Sequence, residues 1–324
     1  MSVGEIAADS GHTEAEVVEI LNRARFAMFG ARAKRPRPQL DDKVLTAWNG
    51  LMIAAFARVA RLITALGPEG EGAGLPYLKS AQRAATFSRE RMWDGATGTL
   101  LRRYREGQAE IDAYAEDYAF LIFGVLELFR ADPDPGWLNW AMALQRRQDE
   151  LFWDEVDAGW FSTTGRDPNV LMRMKEDYDG AEPTASSISV MNLLVLSHLI
   201  EDAQWTSRIE RTLKLFGTRL DQAGRSVPMM AAALSAHTAG TQQIVIVGET
   251  GAGALERAAI VGYRPFAITL ALTPEHQQKL RDVMPLVAEM RPIDGAAAAY
   301  VCQKFACRPP ATNIEELEQR LLET

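Results

Sequence analysis

Three apolar helical runs begin at matching points of a repeating unit, and this recurrence leaves the chain few architectures to choose from. Trp48, Glu116 and Glu182 stand 68 and 66 residues apart, each near the start of a run with helical spacing. In 40–66, Val44, Trp48, Leu51, Met52, Ala55, Val59, Leu62, Ile63 and Leu66 make one buried helical face. The runs 119–129 and 184–199 are apolar nearly all round, and a more polar helix follows each run, over 77–92, 137–151 and 205–220. Alternation of this kind means an inner and an outer layer. Repeated helical hairpins stack into a solenoid or close into a toroid. Inner helices that are apolar along their length but polar at their starts favour an α/α toroid with a polar funnel at one end.

The first run carries an anomaly. Trp48-Asn49-Gly50 falls in its second turn, where Asn and Gly are poor helix formers, Gly by about 1 kcal/mol against Ala. Either another backbone or a ligand is expected to approach that turn closely. Elsewhere, Thr13 and Glu16 form a T-x-x-E capping box, 67–74 is a glycine-rich loop, 93–104 is a loop or short hairpin, and 152–161 is an aromatic loop. The last third changes character, with strands over 243–248, 266–272 and 296–305 and helices over 251–260 and 275–284. The expected organisation is helical hairpins over 1–240 and a small α/β portion over 241–324 packed on them, built as a parallel β-α-β unit.

Composition removes several function classes. The net charge of −8 argues against nucleic acid or an anionic membrane as partner. No apolar run approaches the roughly 18 residues of a membrane helix, and the acidic N-terminus has no signal-peptide core. Cys302 and Cys307 are five apart, which is neither C-x-x-C nor half of a zinc site, and they read as two reduced thiols of a cytoplasmic protein. The loop 248–253 lacks the third glycine of a dinucleotide fingerprint, where Glu256 stands. Neither a cofactor nor a metal is expected.

Acidic clusters recur at one phase of the repeat: Asp41 and Asp42, Glu116 and Asp117, then Asp177, Asp179 and Glu182. Paired carboxylates across a funnel serve glycoside hydrolysis, one as acid and one as base or nucleophile. Each acid alone is equally a helix N-cap. Trp48, Tyr114, Tyr118, Trp160 and Tyr178 accompany them with rings that stack on sugars. Arg173 and Lys175 either pair with Asp177 and Asp179 or clamp a carboxylate or phosphate.

The segments DDKVLTAWNGLMIAAFA, EDYAFL, Asp157-Ala-Gly-Trp-Phe, DGAEPTASS and DGAAAAYVCQKFAC resemble the YyaL / spermatogenesis-associated protein 20 family over essentially all of the chain. The resemblance implies a partial (α/α)6 toroid similar to N-acylglucosamine 2-epimerase and the six-hairpin glycosidases. It also implies that the family's thioredoxin-like domain and first hairpins are absent. An open toroid exposes inner-helix surface, so self-association, or rearrangement of 13–32, is expected to cover it. Epimerases of that type use histidines, and none of His12, His198, His237 and His276 stands beside the acidic clusters. The expected function is therefore a carbohydrate-active enzyme with a sugar-like small-molecule substrate. Asp42, Glu116, Asp117, Asp177 and Asp179 supply its acid and base, and Trp48, Asn49, Tyr118, Trp160, Arg173 and Lys175 bind the sugar. A non-catalytic binding module and an esterase-type hydrolase using Ser186, Ser187 or Ser189 remain as alternatives.

Overall fold

The computed structural model describes residues 1–66, 72–166, 168, 170–303 and 306–322. The expected 67–74 loop and the end of the expected 296–305 strand fall partly outside these residues. The chain divides into two compact units, Met1–Asp42 and Lys43–Thr324.

The first unit is a pair of packed helices, α1 (Val3–Ser10) and α2 (Glu14–Ala33). Both start with capping boxes. In the second, the Glu16 amide donates to Thr13 Oγ1 at 3.3 Å and the Thr13 amide donates to Glu16 Oε2 at 2.8 Å, as the T-x-x-E spacing predicts.

The second unit opens with β1 (Val44–Leu45) and continues into α3 (Thr46–Ala65), which packs on α4 (Leu75–Arg91). The strands β2 (Trp93–Asp94), β3 (Thr99–Arg105) and β4 (Gln108–Asp112) follow. Here 93–112 forms a small antiparallel sheet with β3 at its centre, pairing Arg103 with Glu110 on β4 and Leu45 on β1. Next come the hairpin α5 (Ala115–Ala131) and α6 (Pro135–Phe152), then α7 (Ala185–Leu199) and α8 (Ala203–Leu215), then α9 (Gly217–Ala223) and α10 (Pro228–Ala239).

Helices α3, α5, α7 and α10 lie side by side in that order, and α4, α6 and α8 pack behind α3, α5 and α7. This is the inner and outer layering of a partial α/α toroid. The two all-apolar runs became α5 and α7, whose faces are buried on nearly every side. The fourth inner helix, α10, was not legible because 228–239 is short, alanine-rich and carries almost no face preference.

Polar residues tie the inner layer together where its helices are otherwise apolar. Asn192 Nδ2 donates to the Ala119 carbonyl at 2.8 Å, and Gln148 Nε2 donates to the Ala115 carbonyl at 3.0 Å and to Ser189 Oγ at 2.9 Å. The anomalous turn at Gly50 has a packing cause. A Cβ there would meet the backbone of α5, 2.6 Å from the Leu121 nitrogen, and a Cβ on Gly124 would meet the Gly50 backbone in return. Two glycines thus let α3 and α5 touch backbone to backbone, and the approaching group is a helix.

The remainder comprises β5 (Gln242–Val247), α11 (Ala252–Val261), β6 (Ile268–Leu272), α12 (Pro274–Leu280), α13 (Pro285–Ala288), β7 (Ala298–Gln303), β8 (Ala306–Cys307) and α14 (Ile314–Leu322). The strand order is β6-β5-β7-β8, with β5 and β6 parallel across α11 and β7 antiparallel to β5. Alternation along β5 sends Val245 and Val247 into the core shared with the helical hairpins, and Ile244 and Ile246 towards α11 and α14. The two cysteines correct the expectation of free thiols. Register places Cys302 opposite Cys307 on adjacent strands, and they form a disulfide. A spacing of five suits a cross-strand pair in a tight hairpin, a geometry the spacing alone does not declare. Among the described residues, no helix is long and apolar enough to cross a membrane.

Candidate functional site at the mouth of the inner helices

The N-terminal ends of α3, α5 and α7 meet at one mouth of the layer. Trp48, in the first turn of α3, is 59% exposed, yet its Nε1 donates to Glu182 Oε1 at 3.0 Å, just ahead of α7. Glu116 opens α5, where a carboxylate complements the positive end of the helix dipole. Arg102, projected by β3, donates from one Nη1 to Glu116 at 2.7 Å and to Asp117 at 2.8 Å, with its guanidinium 4.5 Å above the Tyr114 ring. Glu176 lies in the polar segment before α7. Partial desolvation pushes its carboxyl up, and the carboxylates of Glu116 and Glu182 push it further. The mouth therefore carries three glutamates from two elements, one arginine and an exposed indole. Beside it, Lys175, Glu176 and Asp177 line a cavity of about 380 Å³ with Leu215, Phe216 and Arg219.

The structure separates the residues named from sequence into those at the mouth and those that hold it in shape. Trp48 and Glu116 stand at the mouth. Asp117 is 1% exposed and accepts the amides of Ala47 at 3.2 Å and Tyr114 at 2.9 Å, locking the start of α5 to that of α3. Asp179 is also buried. It accepts from the Thr184 amide at 2.8 Å, from Ser187 Oγ at 3.0 Å and from the Met229 amide at 2.9 Å, so it ties α7 to α10. Both aspartates are helix-end fasteners. Asp177 is exposed and forms an ion pair with Arg219. Asn49 donates back to the Leu45 carbonyl at 2.8 Å. Asp42 is an exposed residue at the end of the N-terminal unit.

Four expectations are corrected by burial and by existing partners. Tyr118 is 1% exposed, and its hydroxyl receives the Leu100 amide at 3.2 Å. Trp160 is 1% exposed, with Nε1 donating to Asp149 at 2.9 Å. Neither ring is open to a ligand. Arg173 donates to the carbonyls of Thr163 and Leu151, both at 2.9 Å, and lies over the Phe161 ring. Lys175 pairs with Asp154 at 2.6 Å. These two cations brace the 152–163 loop, although Lys175 keeps a place in the cavity wall. Ser186, Ser187 and Ser189 are buried and hydrogen-bonded within the helical layer, so none is an exposed nucleophile. Sequence reading missed Arg102 and Glu176 as site residues. The run 99–105, TLLRRYR, does not alternate, so nothing in the sequence singled out Arg102 from Arg103 and Arg105. Glu176 had no signal either, because the approach of Glu116 on α5 is set by the fold.

Burial pushes the Asp117 carboxyl up to about 6, against the opposing pull of Arg102 and the Tyr114 amide, and burial likewise pushes Asp149 up to about 6. A carboxyl with a raised folded value binds its proton more tightly in the native state. Stability from these groups is therefore greatest in acid and falls as pH rises from 3.8 to about 6. Asp117→Asn is expected to shrink that slope, measured as denaturation midpoints across this window. An unchanged slope would show that Asp117 titrates alike in both states.

Comparison with known proteins places the chain as follows. It is 33% identical over 314 residues to spermatogenesis-associated protein 20 of Homo sapiens, covering 93% of this chain and 39% of that protein. It is 33% identical over 321 residues to the same protein of Rattus norvegicus, covering 95% and 40%. The chain thus spans about two fifths of the curated relatives it matches. No protein-family model matches. Among solved structures, a cellobiose 2-epimerase from Bacillus thermoamylovorans shows 14% identity, 84% coverage of this chain, 67% of that chain and a TM-score of 0.46. A GH76 alpha-mannanase from Bacteroides thetaiotaomicron shows 14% identity, 56% and 47% coverage and a TM-score of 0.41.

Proposed function

The chain is a homologue of spermatogenesis-associated protein 20 along nearly its whole length, and we propose that this segment is the sugar-handling part of a carbohydrate-active enzyme, with glycoside hydrolysis at the mouth of the inner helices. One observation carries the reading. An exposed indole, fixed by Glu182, stands beside carboxylates in unlike environments. Glu116 is ion-paired with Arg102, while Glu176 is biased towards its protonated form. A carboxyl raised by desolvation beside one held by an arginine offers an acid and a base at one mouth.

In this reading Trp48 offers its face to a sugar ring, with Tyr114 at the flank. Glu176 donates its proton to the glycosidic oxygen as the bond from that oxygen to the anomeric carbon breaks. Glu116 takes a proton from the water whose oxygen forms the new bond to that carbon, and Arg102 holds Glu116 in place. Asp117 and Asp179 act through position, by setting where the helix starts stand.

The test is turnover of a panel of aryl glycosides and short oligosaccharides by the purified chain, read as reducing-end release. Glu176→Gln is expected to lower kcat by about 10²–10⁴-fold, the usual worth of a general acid, while Asp282→Asn on the far surface leaves it unchanged. Full turnover with Glu176→Gln overturns the assignment. Saturable sugar binding without turnover replaces the enzyme reading with a binding module.

A further inference from the structure

A second concave site lies at the other end of the inner layer. It is a cleft of about 470 Å³ between the C-terminal halves of α3 and α5 and the turn that follows α11. Its charged lining is Arg58 and Arg61 from α3, Glu127 and Arg130 from α5, and Arg264. Four guanidiniums thus face one lining carboxylate. Glu127 is shared among three of them, Arg58 at 3.1 Å, Arg61 at 3.4 Å and Arg130 at 2.8 Å. Arg130 also donates to the Ala267 carbonyl at 2.7 Å, yet its Nε is buried without an acceptor. Arg264 reaches only the Ala259 carbonyl, at 3.4 Å.

One carboxylate offers about four lone-pair positions, whereas each guanidinium carries five N–H donors. Donors and positive charge are therefore in excess. Glu256 of α11 is the other anion felt by Arg61, and burial pushes its carboxyl up against the pull of Arg61. Burial first, then the neighbouring Arg130 cation, lowers the Arg61 guanidinium to about 10 despite Glu127 and Glu256. Planar guanidiniums lining an open cleft suit a tetrahedral oxyanion.

We propose that this cleft binds a small dianionic phosphate, either the free ion or the phosphate group of a sugar-sized ester. It lies on the opposite side of the helical layer from the Trp48 mouth and does not depend on the reaction assigned there. Helix C-termini alone would hold one or two cations. They do not account for four around a single carboxylate with an open volume between them.

The experiment is calorimetric titration of the full chain with inorganic phosphate and, separately, with a hexose phosphate and the unphosphorylated hexose, in chloride buffers of matched ionic strength. Saturable binding of one or both phosphates, with none by the hexose, is expected. The tighter phosphate identifies the source. Arg58→Gln and Arg264→Gln, both at the accessible side, are each expected to weaken binding by about tenfold or more, the worth of one charged hydrogen bond. Glu176→Gln leaves it intact. Ligand-free Arg264→Gln is expected to melt no lower than the parent, since it removes repulsion. Equal phosphate affinity in parent and variants, absence of saturable binding, or a clear loss of ligand-free stability in Arg264→Gln would each overturn the proposal.

Discussion

Gly50→Ala is expected to destabilise the Lys43–Thr324 unit by about 3 kcal/mol, the upper range for forcing a methyl into a packed interior. The added Cβ would meet the Phe120 carbonyl and stand 2.6 Å from the Leu121 nitrogen, which are backbone atoms with no rotamer to escape into. Relief requires α3 and α5 to separate along their length, and these two helices form the most extensive contact in the unit. Separation strips contacts from Ile53, Ala54, Ala57, Ala119 and Phe120, all buried. Helix propensity alone predicts the reverse, a gain of about 1 kcal/mol on replacing a mid-helix glycine. Gly30 supplies the control: it lies inside α2 with nothing within 4 Å of a built Cβ. Gly30→Ala is therefore expected to be neutral or stabilising. The denaturant midpoint should fall for Gly50→Ala and stay or rise for Gly30→Ala. A Gly50→Ala protein as stable as the parent would show that the inner helices are not in backbone contact.

Glu127→Gln is expected to cost about 3–5 kcal/mol, the loss found when one partner of a buried charge cluster is removed. Glu127 is 3% exposed and takes hydrogen bonds or ion pairs from Arg58, Arg61 and Arg130, of which the last two are largely buried. The amide keeps the shape but removes the only lining carboxylate, leaving several guanidiniums facing one another. Burial opposes ionisation of this carboxyl, but Arg130, Arg58 and Arg61 outweigh it and hold the group at about 2, against an ordinary 4.5. A lowered folded value contributes stability above the ordinary value and loses it as pH falls from 4.5 to about 2. The parent should therefore lose this contribution in acid, and Glu127→Gln should lack that part of the acid slope. The sign is opposite to that of Asp117, and the window lies lower in pH, so Glu127→Gln and Asp117→Asn alter different parts of the stability profile. Equal midpoints for parent and variant at neutral pH would rule the cluster out as a stabilising element.

The helical layer was legible because periodicity is a local property. The periodicity of 40–66 marks α3 as a helix but names the wrong buried face: Trp48, Met52, Leu62 and Leu66 are exposed, while Ala47, Gly50, Ile53, Ala54, Ala57 and Ala60 are buried, because small residues let α5 and α4 pack close. Val17 and Glu16 predict the capped start of α2 without reference to any partner. The recurrence of Trp48, Glu116 and Glu182 at the starts of inner helices was legible for the same reason, and α3, α5 and α7 do bring these ends together. The role of each acid was not. Asp117 and Glu116 are neighbours in sequence, yet one is buried among amides and the other is half-buried beside Arg102. A one-residue step on a helix turns the side chain by a large angle, and only the position of β3 and α3 decides which of the two meets solvent. The rings of Tyr118 and Trp160 read in the sequence as sugar platforms because an aromatic residue looks alike in a core and at a mouth.

What the sequence determined by itself is the alternation of helices, their capped starts, the three strands of the last third and the acidic phase of the repeat, all set by residue type and spacing over a few turns. Tertiary structure alone decided that Gly50 serves a helix crossing, that Cys302 and Cys307 join, that Asp117 and Asp179 fasten helix ends while Glu176 and Arg102 enter the mouth, and that four arginines surround one glutamate. The physical reason is that burial, desolvation and charge balance depend on groups brought together from distant segments, and a linear pattern carries no record of which distant groups will meet.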